Sequence, residues 1–129
     1  MNYKLKLLDL AQKVSGNAYA PYSKFNVGAA ILTDKENYYC GCNVENISYP
    51  LGTCAEEAAI ASMVANGEKS IKEILIFANC ENLISPCGAC RQRIQEFASN
   101  NCQIHLANTS GIKTTYTFNE LLPHSFKEF

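Results

Sequence analysis

Apolar residues recur at Leu5, Leu7, Leu8, Leu10, Ala11 and Val14, a helical spacing that predicts an amphipathic helix over residues 3–17, with Gly16 and Asn17 as stop signals. The pattern then breaks at Ala20-Pro21-Tyr22-Ser23-Lys24, which reads as a loop because proline and the residue before it resist helix. Residues 25–32 form an apolar run with Gly28, Ala29 and Ala30 inside it, predicting a strand approached closely by a neighbouring element or a ligand. Residues 33–37 carry turn chemistry, and residues 38–44 return, so the two strands are expected to be antiparallel.

A loop with Pro50 and Gly52 leads into a helix over 55–66, facing inward with Ala58, Ala59, Met63 and Val64 and stopped by Gly67. The run Ile74-Leu75-Ile76-Phe77-Ala78 predicts a strand over 71–79 buried on both faces. A further helix is expected from 86 to 98, a short strand over 103–107, a turn at Asn108-Thr109-Ser110-Gly111 and an antiparallel strand over 112–117. One helical turn over 119–122 precedes Pro123. The order α-β-β-α-β-α-β-β-α implies an α/β fold with one mixed, five-stranded sheet and helices on both faces. With 129 residues and no linker or repeat, the expectation is a single domain, 1–129.

Composition narrows the picture. Apolar content of 47% and charged content of 18% suit a soluble globular protein. A net charge of −1 without a basic cluster argues against a surface for nucleic acid or an anionic membrane. No apolar run approaches the roughly 20 residues that cross a bilayer, so a cytoplasmic location is expected. Seven cysteines in a reducing compartment point to metal binding or catalysis before disulfides.

The candidate chemistry sits in two stretches, each opening a helix. In Ser85-Pro86-Cys87-Gly88-Ala89-Cys90-Arg91-Gln92, two cysteines three apart share one helical face, near N–H groups that favour thiolates. Alone, that spacing serves a redox dithiol, a structural zinc site, a catalytic metal site or two buried thiols. Thr53-Cys54-Ala55-Glu56-Glu57 adds a third thiol and a carboxylate. Three thiolates leave one position of a tetrahedral zinc open, as in catalytic sites, and a nearby non-ligand carboxylate can move the proton of a water there. Residues two apart on a helix diverge by about 200°. Cys54 is therefore expected at the cap and Glu56 in the first turn. Two helices would then aim their N-termini at one metal, with Glu57 complementing the helix dipole.

Cys-Ala-Glu followed by Pro-Cys-x-x-Cys resembles the cytidine deaminases, specifically the small, homotetrameric three-cysteine type. Zinc deaminases are known to join a cysteine-rich ligand set to a non-ligand glutamate. The likeness extends to Ala20-Pro21-Tyr22-Ser23, Phe25-Asn26-Val27-Gly28-Ala29-Ala30, Asn43-Val44-Glu45-Asn46 and Leu121-Leu122-Pro123. It implies an α-β-α sandwich, Zn²⁺ on Cys54, Cys87 and Cys90, and Glu56 as proton shuttle in the hydrolysis of cytidine and deoxycytidine to uridine and deoxyuridine plus ammonia, within pyrimidine salvage. It further implies that Asn43 and Glu45 hold the ribose 3′-hydroxyl, that Phe25 lines the pyrimidine pocket, that Ala55 contacts the substrate, and that Tyr49 and Phe126 reach a neighbouring subunit's site. The implied partner is a small nucleoside, with neither nucleic acid nor membrane.

Three departures stand out. The related enzymes usually carry arginine directly after the catalytic glutamate, where this chain has Glu57. That loss puts weight on Arg91, which is expected to donate hydrogen bonds to a ligand sulfur. Ile47 stands where alanine is common, and Cys40, Cys42, Cys80 and Cys102 are expected to be buried thiols. His105 and His124 read as structural or exposed. The rival functions are deamination of a blasticidin-type nucleoside antibiotic, editing of a polynucleotide, and a structural zinc module.

Overall fold

The computed structural model describes residues 2–129. Among the described residues the elements run α1 (Tyr3–Ser15), β1 (Val27–Thr33), β2 (Tyr38–Cys42), a 3-10 turn (Tyr49–Leu51), α2 (Ala55–Ala65), β3 (Ile71–Ala78), α3 (Gly88–Phe97), β4 (Ala98–Asn108), β5 (Gly111–Thr117) and α4 (Phe118–Leu121). Asn2 starts α1 by accepting from the N–H groups of Lys4 and Leu5. The helix stops at Ser15, whose hydroxyl donates to the Gln12 carbonyl at 2.6 Å. That bond satisfies one of the carbonyls a helix end leaves free, two residues before the expected stop.

The sheet order is β2-β1-β3-β4-β5. Only β3 and β4 run parallel, joined by the crossover through α3; β1 is antiparallel to both β2 and β3, and β4 to β5. The expected mixed five-stranded sheet is what forms. The two apolar central strands alternate between two cores, as a period of two requires. Ala29, Ile31, Ile74 and Ile76 pack with Ala59, Ile60 and Met63 of α2 and Ile94 of α3. Ala30, Leu32, Leu75 and Phe77 pack with Leu7 and Ala11 of α1 on the opposite face.

Close approach explains the small residues. A Cβ on Gly28 would lie 2.0 Å from the Ala11 carbonyl oxygen, so it is α1 that comes close there. A Cβ on Gly41 would lie 2.4 Å from the Ala59 nitrogen, so α2 rests directly on β2. The pairings Val27↔Ala78 and Gly28↔Cys42 bring the start of β1, the end of β2 and the end of β3 to one end of the sheet. Both α2 and α3 begin there. No helix among the described residues is long and apolar enough to cross a membrane.

One strand departs from expectation. β4 begins at Ala98, five residues early, because Ala98 pairs with Ile71 before a register shift and Cys102 turns inward. The polar run Ser99-Asn100-Asn101 gives no strand signal in the sequence.

Candidate active site

Cys54 caps α2 and Cys87 caps α3, both in extended backbone, with ψ of 155° and 168°. This is the geometry the Cys54–Glu56 spacing requires: the cap residue points away from the helical course, and Glu56 follows inside the first turn. Cys90 lies in the first turn of α3 and is fully buried. The three sulfurs all lie within 4.8 Å of one another. Tetrahedral zinc with thiolates at about 2.3 Å separates its sulfurs by about 3.8 Å, so donor chemistry and spacing both fit such an ion.

The helix starts act unequally on the thiols. Backbone N–H groups of Cys90 and Ala89 hold the Cys87 thiol below its usual range against its desolvation. Burial pushes Cys54 up, and burial together with the nearby Glu56 pushes Cys90 up further. Glu56 is only 5% exposed, and burial raises its carboxyl above the usual carboxylate range.

A cleft of about 390 Å³ opens over this cluster, lined by Phe25, Asn43, Glu45, Tyr49, Ala55 and Glu56 along with Cys54 and Cys87. The size is within the range of small-molecule sites. Asn43 accepts from the Val27 N–H at 2.9 Å and donates to the Phe25 carbonyl at 2.8 Å. Glu45 accepts from the N–H groups of Tyr22 and Ser23 at 3.0 and 3.1 Å and from the Ser23 hydroxyl, which holds its carboxyl below the usual range. Both side chains therefore strap the site's own loops. Each keeps capacity for another partner, since a carboxylate offers about four lone-pair sites and an amide two donors and two lone pairs. A neighbouring cleft of about 310 Å³ lies on the Tyr22 side of Glu45 and Tyr49, away from the thiols.

Phe126 is not brought into this cleft. It is 63% exposed, its ring packs edge-on to Phe129 at 5.5 Å, and its carbonyl accepts from Gln92 at 2.6 Å. Tyr49, in the cleft's lining, is 75% exposed, and Ile47 is 80% exposed. Of the four cysteines outside the cluster, Cys102 alone is fully buried, its thiol pushed up to about 12 by burial, while Cys40, Cys42 and Cys80 are half-buried. His105 is structural, as expected: it is fully buried and bonded to Glu73 and Thr115, each at 2.7 Å.

Arg91 does not do what the sequence suggests. Its guanidinium donates to the Pro86 carbonyl at 2.9 Å, the Leu121 carbonyl at 2.7 Å and the Ser85 hydroxyl at 2.8 Å, tying the loop before α3 to α4. The guanidinium that reaches a sulfur belongs to Arg93, whose Nη1 lies 3.5 Å from Cys90 Sγ. Sequence reasoning missed it by weighing adjacency over helix geometry: residue i+3 shares a face with Cys90, residue i+1 does not.

An α/β sheet whose two helix starts converge on three thiols and a buried carboxylate offers the donor set of a metal site, and comparison with known proteins gives its class. The family model for the cytidine and deoxycytidylate deaminase zinc-binding region matches residues 1–106. A cytidine deaminase of Sporosarcina psychrophila is 42% identical over 123 residues, 95% of this chain and 90% of the relative. The crystal structure of cytidine deaminase from Burkholderia pseudomallei superposes with a TM-score of 0.89 at 38% identity, covering 95% of this chain and 98% of the other. That of the Mycobacterium tuberculosis cytidine deaminase gives 0.83 at 31% identity, over 99% of each. The chain belongs to the cytidine deaminase family of hydrolytic enzymes.

Proposed function

We propose that this enzyme hydrolyses the exocyclic amine of cytidine and deoxycytidine, giving uridine and deoxyuridine plus ammonia for pyrimidine salvage, at a zinc ion held by Cys54, Cys87 and Cys90. The observation that carries the reading is the buried Glu56 beside three clustered thiols at two converging helix starts. Bound zinc supplies the Lewis acidity that makes water a nucleophile at neutral pH. Glu56 carries the proton lost by that water to N3 of the cytosine ring, which neutralises the ring as C4 is attacked. Glu56 then takes the proton of the new hydroxyl at C4 and passes it to the amine as the C4–N bond breaks and C4=O forms, because an unprotonated amine leaves poorly. The balance is one nucleoside and one water in, one uracil nucleoside and one ammonia out.

Phe25 and Ala55 bound the base, and Asn43 and Glu45 offer an amide and a carboxylate to the ribose 3′-hydroxyl. A grip on the 3′-hydroxyl does not read the 2′ position, so both sugars are accepted. Phe126 acts across a homotetramer at a neighbouring subunit's cleft, and Tyr49, at the lining of its own cleft, approaches a neighbour's site too; the exposure of both supports this. Arg91 braces the loop that carries Cys87. The seven free cysteines suit a cytoplasmic, reducing location.

The test is an ultraviolet assay run side by side on cytidine, deoxycytidine and blasticidin S. Turnover of both nucleosides is expected. Turnover of blasticidin S with neither nucleoside would assign the cleft to antibiotic nucleosides instead.

A further inference from the structure

Three thiolates around a divalent zinc leave a net charge of −1, and Glu56 adds another negative group beside them when ionised. A charge imbalance of this kind is eased by a nearby cation, which holds the thiolates and strengthens the hold on the metal. α2 brings no such cation: the residue after Glu56 is Glu57. Arg91 is committed to two carbonyls and a hydroxyl away from the sulfurs.

The cation comes from one turn further along α3. Arg93 Nη1 donates to Cys90 Sγ at 3.5 Å, within hydrogen-bond reach for sulfur, and its Nη2 lies 3.6 Å from Glu57 Oε2. Glu57 Oε1 in turn accepts from the Cys54 N–H at 3.4 Å. A continuous path therefore runs from the Cys54 backbone through Glu57 and Arg93 to the Cys90 sulfur. It joins the two helices on which the three thiols stand.

We infer that Arg93, held in place by Glu57, is the positioning residue that offsets the excess negative charge of the three-thiolate centre and keeps the starts of α2 and α3 in register around the metal. The inference rests on the zinc reading above. It gives Glu57 a second purpose besides complementing its helix dipole: it orients the arginine. The pair is partly open to solvent, with side chains 39% and 34% exposed, so as an isolated ion pair it adds little to folding stability. Its effect belongs in metal retention.

The experiment measures zinc content of the purified chain, then the rate of zinc loss to an optical chelator and the zinc affinity by competition. Wild type is compared with Arg93→Gln, Arg93→Lys and Glu57→Gln, alongside thermal unfolding of each metal-free protein. Arg93→Gln should lower zinc affinity by about 10- to 100-fold, the usual effect of losing a group that supports a metal ligand. Arg93→Lys, which keeps the charge, should recover part of that loss, and Glu57→Gln should show a smaller loss in the same direction. Metal-free unfolding temperatures should stay close together. Equal zinc affinity in wild type and Arg93→Gln overturns the inference and leaves the zinc reading standing. Arg93→Lys no better than Arg93→Gln overturns the charge argument. A wild-type chain that binds no zinc removes the zinc reading itself, and this inference with it.

Discussion

Asn43 donates from Nδ2 to the carbonyl of Phe25 at 2.8 Å, so the side chain expected to meet the sugar also holds the backbone of the residue expected to line the base pocket. The same carboxamide accepts from Val27 at 2.9 Å, where β1 begins. Replacing it strands a carbonyl and an N–H at the partly buried edge of the cleft. Asn43→Ala should cost about 1–3 kcal/mol of stability, the range for leaving a buried polar group unpaired. Urea unfolding checks that value. If Asn43 also binds ribose, KM for cytidine rises in the variant; an unchanged KM with lowered stability assigns Asn43 to loop strapping alone.

Gly41 ties packing to the site. An added Cβ would meet the Ala59 nitrogen at 2.4 Å and the Ala58 carbonyl carbon at 2.7 Å, both helix backbone that cannot swing aside. Gly41→Ala should therefore cost about 1–3 kcal/mol or more, the range for overpacking a tight contact. Because α2 carries Cys54 at its start, zinc content should fall with stability. Gly88, between the other two candidate ligands, has nothing within 4 Å of its would-be Cβ, so Gly88→Ala should retain both. Calorimetry with metal analysis of the two variants separates the cases.

Much of this architecture is readable from periodicity. The double alternation in Ile74-Leu75-Ile76-Phe77 announces a strand buried on both faces, and those four residues do divide between two cores. The Cys54–Glu56 spacing already demands a cap, and a cap is where Cys54 sits. Other features depend on contacts between elements that no local pattern carries. The early start of β4 hangs on one pairing, Ala98 with Ile71, through polar residues. Arg91 and Arg93 are equally plausible partners for a sulfur by charge alone. Only the helical turn and the position of Glu57 on the facing helix decide between them. Likewise, Glu45 reads as a ligand-facing carboxylate, whereas its strapping of the loop at Tyr22 and Ser23 links residues over twenty apart.

Glu45 also sets a pH dependence. The Ser23 hydroxyl and the backbone N–H groups of Ser23 and Tyr22 stabilise its ionised form, so its folded-state pKa lies below the unfolded value of about 4.3. The unfolded chain then binds more protons through that window, and stability falls as pH drops. The contribution is fully present above about pH 4.3 and is lost as pH falls through the folded value. Urea midpoints of wild type and Glu45→Gln, followed from pH 7 to pH 3, should differ by a constant amount at the upper end and converge at the lower. A difference that grows on acidification contradicts the assignment.

The central claim is that Glu56 moves protons at a zinc site built by Cys54, Cys87 and Cys90. It is tested most directly by Glu56→Gln, an isosteric change in a buried side chain that is not among the proposed ligands. Zinc content per chain and cytidine turnover are measured on the same preparation. The account predicts wild-type zinc content with turnover lowered by about 10²–10⁴-fold or more, the range for loss of a general acid–base. A zinc-loaded Glu56→Gln chain that deaminates cytidine at close to the wild-type rate would contradict it.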